Sequence, residues 1–291
     1  MKLLSPNSWK DYELIDTGDR EKLERFGRFV LRRPEPQAVW GKSQNEATWN
    51  SADATFQQEG SSSGKWLKKN SDMPDSWNIR YENGNLKIRF RLALTGFKHV
   101  GVFPEQAVNW DYIYQHSRRL KNPKVLNLFA YTGGASLAAR ATGADVIHCD
   151  SIKQVVSWAN KNMLLSKQSD IRWLVEDAFK FVRKEAKRGN IYQGIIMDPP
   201  AWGHGPKGEK WKLETHIDEL MSNVSRILDE KQGFLVFNSY SLGFSSLVLR
   251  NLIQSHFTKG ESKRTEIGEL YLPEHSKKML PAGVFARFSN N

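Results

Sequence analysis

The spacing of hydrophobic and polar positions changes about a third of the way along the chain. Before residue 110, apolar residues alternate with polar ones. In residues 79–94 this alternation has the period of two that is typical of a half-buried strand. The turn-forming residues at 82–85 divide this segment and favour a hairpin. Segments 12–18 and 26–33 are further candidate strands, and the segment REKLERF (20–26) is a candidate short helix. The pattern predicts a β-rich first domain.

After residue 110, short apolar runs alternate with longer segments of helical spacing. The candidate strands are 125–130, 145–149, 171–175, 193–197 and 233–238. The clearest helical pattern places apolar residues three and four positions apart from Ile217 to Leu228. Alternating strands and helices predict a doubly wound α/β sheet of parallel strands, whose ligands bind outside the carboxyl ends of the strands.

Composition narrows the class of protein. The chain has 291 residues, enough for one large or two modest domains. Its only cysteine, Cys149, excludes an internal disulfide framework, and no His/Cys cluster calls for a metal. No apolar run approaches the roughly 18 residues of a membrane span, so we expect a cytoplasmic protein with no membrane partner. The 43 basic and 32 acidic side chains give a net charge of +11, which favours polyanionic partners but does not by itself establish RNA binding.

Chemically useful residues follow each of the first three predicted strands. A glycine turn at 131–136 opens a helix and would let backbone approach a ligand, although a plain tight turn has the same sequence. Asp150 follows the second strand and could accept hydrogen bonds from ribose hydroxyls, or cap the next helix. Asp177 follows the third strand and could accept from an adenine amino group beside Ala178, again with capping as the alternative.

The fourth strand ends in Asp198-Pro199-Pro200-Ala201-Trp202. Two prolines cannot donate backbone hydrogen bonds and give a stiff extended segment. A planar base could stack on Trp202 while its polar edge meets Asp198, although a stiff loop with Trp202 in the core has the same sequence.

These ordered segments resemble the class I S-adenosylmethionine-dependent methyltransferases, most closely the branch that methylates C5 of a cytosine in 23S ribosomal RNA. The similarity covers NLFAYTGGAS, CDSIKQVVSWANKN, VEDAFKFVRKEAKRG and GIIMDPPAW, within residues 98–291. With the alternating pattern before it, this gives an expected β-rich domain over residues 1–100 and a methyltransferase domain over 101–291. The second domain would hold a seven-stranded Rossmann-like sheet with an antiparallel last strand.

The resemblance also implies residue roles. S-adenosyl-L-methionine would be the cofactor and RNA the partner, and Glu105 or Gln106 would reach the cofactor. The cofactor-binding residues would be Phe129, Tyr131, Thr132, Gly133, Asp150, Ser151, Asp177, Ala178 and Asp198. Those around the acceptor would be Asp198, Pro199, Pro200, Trp202 and Ser239.

The chain departs from that branch at one position. Relatives add a cysteine thiolate to the cytosine, and here Ser239 stands in its place, a much weaker nucleophile. Cys149 lies at the end of another strand and does not replace it. We therefore expect direct methyl transfer to structured RNA with the target atom open. The alternatives are a nucleic-acid binding protein with vestigial catalysis and a small-molecule methyltransferase.

Three further features leave their roles open. Residues 204–212 form a lysine-containing loop after the prolines, either a flap over a phosphate-bearing target or a solvated loop. The basic cluster of Arg118, Arg119, Lys121 and Lys124 contacts RNA or only water. Residues 1–110 hold six of the ten tryptophans. The first domain is either an RNA-binding module or a lid.

Overall fold

A mixed β-sheet flanked by helices forms the larger of two compact units in the computed structural model. The structure describes residues 1–6, 9–60, 63–241, 243–258 and 264–290. The larger unit comprises Met1–Leu4, Gln106–Leu270 and Ala282–Asn291, and the smaller one comprises Ser5–Glu105 and Tyr271–Pro281. Each unit therefore takes in chain from more than one segment.

The strands of the described residues are, in chain order, β1 (Lys2–Leu4), β2 (Tyr12–Gly18), β3 (Glu21–Phe26), β4 (Phe29–Pro34), β5 (Ala54–Gln58), β6 (Gly64–Lys68), β7 (Ser76–Asn83), β8 (Leu86–Ala93), β9 (Lys124–Leu128), β10 (Asp145–Asp150), β11 (Ile171–Val175), β12 (Gly194–Met197), β13 (Trp202–His204), β14 (Lys210–Lys212), β15 (Phe234–Ser239), β16 (Glu266–Pro273) and β17 (Met279–Ser289). The helices are α1 (Glu46–Trp49), α2 (Ala107–Ser117), α3 (Gly134–Arg140), α4 (Lys153–Leu165), α5 (Ala178–Arg188), α6 (Leu213–Ile227) and α7 (Ser246–His256).

The main sheet has the strand order β1-β16-β17-β15-β12-β9-β10-β11 within the described chain. Strands β9, β10, β11, β12 and β15 pair in parallel, and β17 runs antiparallel to β15. The predicted α/β fold and its antiparallel last strand are confirmed. The predicted seven strands are joined by an eighth, β1, which pairs in parallel with β16. Three residues are too few to show a hydrophobic period, so the sequence pattern did not reveal this strand.

Burial follows the apolar pattern closely in this unit. Strands β12 and β15 are buried along their whole length, as expected for strands covered on both faces. Helix α6 buries the predicted apolar row, from Ile217 through Ile227, against the sheet. Among the described helices, none is long and apolar enough to cross a membrane.

The smaller unit contains a five-stranded sheet, β2 to β6, and the predicted hairpin β7–β8. The prediction of a helix over residues 20–26 is wrong, because this segment forms β3 between β2 and β4. Its two faces bury Leu23 on one side and Glu24 with Phe26 on the other. A buried acid breaks the alternation of apolar and polar residues by which a strand is recognised.

Glu24 is buried because it has several hydrogen-bond partners. Arg33 donates to it from Nε at 2.9 Å and also from Nη2, and the Tyr12 hydroxyl donates at 2.9 Å. Burial opposes ionisation, but the charges of Arg33 and Lys22 outweigh it and hold the pKa of Glu24 below its ordinary value. One face of this sheet therefore buries an ion pair.

The tryptophans of the smaller unit belong to its packing. Trp9 and Trp49 are buried, and Trp40, Trp66 and Trp77 are partly buried. The Nε1 of Trp49 donates to Asp16 at 2.9 Å and that of Trp77 to the carbonyl of Phe26 at 3.0 Å. These rings therefore support the sheet.

Removing one partner of the buried ion pair should destabilise the protein strongly. Arg33→Met leaves the carboxylate of Glu24 without its main counter-charge, which we expect to cost about 3–5 kcal/mol in the free energy of unfolding. The double variant Arg33→Met/Glu24→Gln should recover most of that loss. Urea unfolding measures both. A single variant as stable as the wild type would show that the pair is not a determinant of stability.

Candidate active site

The register of the parallel strands brings the predicted site segments to one edge of the main sheet. Leu128, the last residue of β9, pairs with Cys149 of β10 on one side and with Met197 of β12 on the other. Met197 also pairs with Phe237 of β15. The residues that follow these positions therefore emerge side by side. Strands β10 and β11 lie on one side of β9 in the sheet, and β12 and β15 lie on the other. The boundary between β9 and β12 is therefore a topological switch point.

The predicted glycine turn follows β9 and has an unusual backbone. Phe129, Tyr131 and Gly133 all have positive φ, at 53°, 49° and 91°. Gly133 is the N-cap residue of α3 in the left-handed conformation that glycine adopts most easily. Thr132 is buried, and its carbonyl accepts from Asn162 Nδ2 at 2.9 Å. Positive φ at non-glycine residues is strained, and such strain concentrates at functional sites.

Asp150 holds this turn through hydrogen bonds. Its Oδ2 accepts from the backbone N–H of Tyr131 at 2.9 Å and its Oδ1 from that of Ile152 at 3.0 Å. Helix α4 begins after Ile152 without a side-chain cap, so Asp150 is not a simple N-cap. Burial raises the pKa of Asp150, and the backbone donors partly oppose this rise. Ser151 follows it and is partly buried.

Asp177 has the capping role that the sequence left open. Its Oδ1 caps α5 by accepting from the Lys180 N–H at 2.7 Å, while buried Ala178 begins that helix. Its Oδ2 faces the loop between β13 and β14. A Cβ added at Gly205 in that loop would lie only 2.9 Å from this oxygen, so the backbone approaches it as only glycine allows.

The short hairpin β13–β14 is the segment predicted as a flap. Glu209 in its loop makes an ion pair with Lys180 at 2.7 Å and also accepts from the Lys207 N–H at 2.9 Å. Trp211 in β14 is buried, donates from Nε1 to the carbonyl of Pro200 at 2.6 Å, and packs against Phe129 at 5.2 Å between ring centroids. The hairpin is thus attached both to the proline segment and to the glycine turn.

Asp198 lies at the switch point with few interactions. It is partly buried, and among the described residues its hydrogen-bond partner is Gln106, whose Nε2 donates to Oδ2 at 3.2 Å. Burial raises the pKa of Asp198 to about 6. Pro199 is buried, Pro200 is exposed, and Trp202 is 63% exposed, so Trp202 is not a core residue.

The two residues considered as nucleophiles are poorly placed for attack. Ser239 is buried at the end of β15, and its Oγ accepts from the Ser241 N–H at 3.3 Å. Cys149 is buried in β10, where its Sγ donates to the Glu176 carbonyl at 3.6 Å, and burial raises the pKa of its thiol. Neither side chain is an activated nucleophile.

Sequence analysis missed a group of polar residues beside Asp198. Asn109 and Asn238 are buried and hydrogen-bonded to each other at 3.0 Å, and both donate to Gln106. Arg287 reaches Asn109 from β17. Asn238 directly precedes Ser239. A polar residue within an otherwise apolar strand was the sequence signal that could have revealed Asn238. Glu105, expected from the resemblance near the cofactor, is buried and is grouped with the smaller unit.

The basic cluster of the larger unit lies away from this edge. Lys124 begins β9, whereas the site follows its last residue, about 15 Å along the strand. Arg118, Arg119 and Lys121 precede Lys124 and are exposed. This cluster therefore lies toward the amino ends of the strands.

Comparison with known proteins agrees with this geometry. A family model described as S-adenosylmethionine-dependent methyltransferase matches residues 28–216. The chain belongs to this family. It is also 34% identical to a SAM-dependent methyltransferase from Agrobacterium tumefaciens, whose crystal structure matches with a TM-score of 0.93 over 100% of this chain and 94% of that one.

Curated relatives of this methyltransferase are named as ribosomal RNA methyltransferases. It is 28% identical over 155 residues to the ribosomal RNA large subunit methyltransferase K/L of Shewanella frigidimarina, a match that covers 52% of this chain and 21% of that protein. The corresponding protein of Shewanella sp. strain ANA-3 is 31% identical over 65% of this chain and 26% of its own length. The chain spans about a quarter or less of these relatives.

The site presents groups of the kind that S-adenosylmethionine would need. Asp150 and Asp177 present carboxylate oxygens, which could accept from ribose hydroxyls and from an amino group, and the turn after β9 presents backbone at positive φ. The residues of the methyltransferase therefore fit its cofactor.

The raised pKa of Asp198 should appear in the pH dependence of stability. Because the folded value of about 6 exceeds the ordinary aspartate value of about 3.9, the folded state binds the proton more tightly. The Asp198 carboxyl by itself therefore lowers the free energy of unfolding by about 2–3 kcal/mol as pH rises from 4 to 7. Asp198→Asn should lack this loss. The free energy of unfolding of Asp198→Asn relative to the wild type, measured with urea, should increase over that range. The exposed variant Asp72→Asn should follow the wild type. Parallel curves for wild type and Asp198→Asn would contradict the assignment.

Proposed function

We propose that this methyltransferase transfers a methyl group directly to a nucleotide of ribosomal RNA, with Asp198 facing the acceptor. The observation that carries the proposal is the state of Asp198 at the switch point, where Gln106 engages one carboxylate oxygen and the other has no partner among the described residues. The names of the curated relatives support ribosomal RNA as the substrate.

The cofactor would occupy the edge formed by β9, β10 and β11. In this proposal the turn from Phe129 through Tyr131, Thr132 and Gly133 holds the methionine end. Asp150 and Ser151 hold the ribose. Asp177 and Ala178 contact the adenine, beneath the loop that contains Gly205.

The acceptor would lie on the other side of Asp198. Pro199 and Pro200 form a stiff boundary between cofactor and acceptor, and the exposed ring of Trp202 is available to stack on a base. Lys207, Lys210 and Lys212 on the hairpin supply positive charge for RNA phosphates. The hairpin thus combines a stacking ring with phosphate-binding side chains.

Direct transfer fits the chemistry of these residues better than a covalent adduct. S-adenosylmethionine supplies an electrophilic methyl group on a sulfonium. The acceptor is an exocyclic amine or a ribose hydroxyl, whose lone pair forms the bond to carbon as the sulfur–carbon bond breaks. Asp198 accepts the proton that leaves the acceptor. A carboxylate with a pKa of about 6 is a better base near neutral pH than an ordinary aspartate.

Cofactor binding should depend on the carboxylate of Asp150. Asp150→Ala removes acceptors for the ribose hydroxyls and should weaken binding of S-adenosylmethionine about tenfold to hundredfold in calorimetric titration. Asp145→Ala, at the exposed start of the same strand, is the matched control and should bind as the wild type does. Wild-type affinity in Asp150→Ala would refute this cofactor site.

Transfer of tritium from labelled S-adenosylmethionine to transcribed large-subunit ribosomal RNA tests the substrate. We expect label in RNA and not in a metabolite extract, and nucleoside mass spectrometry then names the atom. Asp198→Asn should lower the rate by about a hundredfold or more, and Ser239→Ala by less than about tenfold. Label confined to metabolites would indicate a small-molecule enzyme. Cofactor binding with no transfer at all would indicate a binding protein.

A further inference from the structure

The side-chain amides of Gln106, Asn109 and Asn238 connect Asp198 to the buried guanidinium group of Arg287. Gln106 donates from Nε2 to Asp198, and its Oε1 accepts from Asn109 Nδ2 at 2.9 Å and from Asn238 Nδ2 at 3.3 Å. Asn109 Nδ2 also donates to Asn238 Oδ1 at 3.0 Å. At the far end, Arg287 Nη1 donates to Asn109 Oδ1 at 3.5 Å. The connection runs from β12 through the start of α2 to β17.

The charges at its two ends give this connection a direction. An amide presents an acceptor oxygen on one side and a donor NH₂ on the other. Arg287 can only donate, so Asn109 presents its oxygen to Arg287 and its NH₂ to Gln106. Gln106 consequently presents its oxygen to Asn109 and its NH₂ to Asp198. Reversing either amide would place donors against Arg287 or an oxygen against the carboxylate.

The connection is buried and internally satisfied. Asn109 and Asn238 are 1% and 3% exposed, and both hydrogens of Asn109 Nδ2 have acceptors. Arg287 is held by Glu266, which accepts from Nε at 3.2 Å, and by the Tyr112 ring, 4.3 Å from its guanidinium carbon. Fully paired polar groups in a buried site fix a single arrangement of side chains.

Gln106 could instead have served the helix. It is the N-cap residue of α2, yet its side chain makes no capping hydrogen bond. The side chain is directed toward Asp198.

We propose that Arg287, acting through Asn109 and Gln106, holds the carboxylate of Asp198 in one orientation, with Oδ2 engaged and Oδ1 directed to the acceptor. Gln106, Asn109, Asn238 and Arg287 are then positioning residues. The catalytic consequence rests on the proposed function, whereas the orientation of Asp198 does not.

The variant Asn109→Asp tests the direction of the connection. Its carboxylate replaces an amide of the same shape and pairs with Arg287, but it cannot donate. Gln106 must then turn its NH₂ toward residue 109 and its oxygen toward Asp198. In the wild type, burial alone raises the pKa of Asp198, and no charge on the described neighbouring elements contributes. Losing the hydrogen bond from Gln106 would raise this pKa further, because that bond stabilises the carboxylate.

The titration of Asp198 can be followed without any substrate. Carbon-13 spectra of protein labelled at the aspartate carboxyl, assigned with Asp198→Asn, give its midpoint in the full chain. We expect Asn109→Asp to raise the midpoint by about one pH unit. Asn223→Asp, at a partly buried position of α6, adds the same charge elsewhere and should leave the midpoint unchanged.

A double-mutant cycle separates the amide connection from direct repulsion between carboxylates. Gln106→Leu removes the donor to Asp198 and should itself raise the midpoint. In that background Asn109→Asp should add less than half of its single effect, because only direct repulsion remains. Equal effects in both backgrounds, or an unchanged midpoint in Asn109→Asp, would overturn the proposal. If Asn109→Asp does not fold, an unchanged midpoint in Gln106→Leu overturns it.

The kinetic consequence is tested separately on transcribed large-subunit ribosomal RNA. Asn109→Asp should lower kcat about tenfold to hundredfold while the KM for RNA and the affinity for S-adenosylmethionine stay as in the wild type. If the midpoint shifts in Asn109→Asp but the wild type methylates no RNA, the orientation of Asp198 is established and the proposed substrate is refuted. A shifted midpoint with unchanged kcat would refute the positioning role.

Discussion

The candidate active site depends on the parallel pairing of β9 with strands on both of its sides. Because Leu128 pairs with both Cys149 and Met197, the segments that begin at Phe129, Asp150 and Asp198 emerge side by side. Hydrogen bonds then connect them, as when Asp150 accepts from the N–H of Tyr131. A shift of one residue in either pairing would turn each carboxylate to the other face of the sheet. The buried apolar strands therefore fix the positions of polar groups that contribute little to the core.

Two elements outside these strands complete the site. The hairpin β13–β14 places buried Trp211 between Phe129 and Phe179, and fastens its loop to α5 through Glu209 and Lys180. Helix α2 places Gln106 and Asn109 beside Asp198 from a segment that precedes β9 in the chain. The hairpin and the start of α2 thus hold different groups of the candidate site.

Sequence reasoning succeeded where hydrophobic spacing and local chemistry agree. The central strands, the apolar face of α6 and the carboxylates after β10, β11 and β12 follow from patterns within single segments. It failed where the decisive partner lies on another strand or helix. Glu24 lies in a strand because Arg33 neutralises it, and Asn109 is buried because Asn238 and Arg287, more than a hundred residues away, satisfy it. Neither partner can be identified from residue spacing, since pairing across a sheet or between a helix and a strand is set by the fold.

Ser239 stands where the resemblance to the cytosine-C5 branch implies a nucleophilic cysteine, so another residue must carry the proposed chemistry. A serine hydroxyl needs an adjacent base to attack a ring carbon, and Ser239 is instead buried with its oxygen accepting from a backbone N–H. Asp198 is partly buried, has one engaged oxygen and holds a proton more tightly than an ordinary aspartate. These properties are of little use for forming a covalent adduct, but they suit a group that must align an acceptor and take its proton. The amide connection beginning at Arg287 ends on this carboxylate. The strand that carries Ser239 belongs to that connection through Asn238, which donates to Gln106, the residue that in turn donates to Asp198.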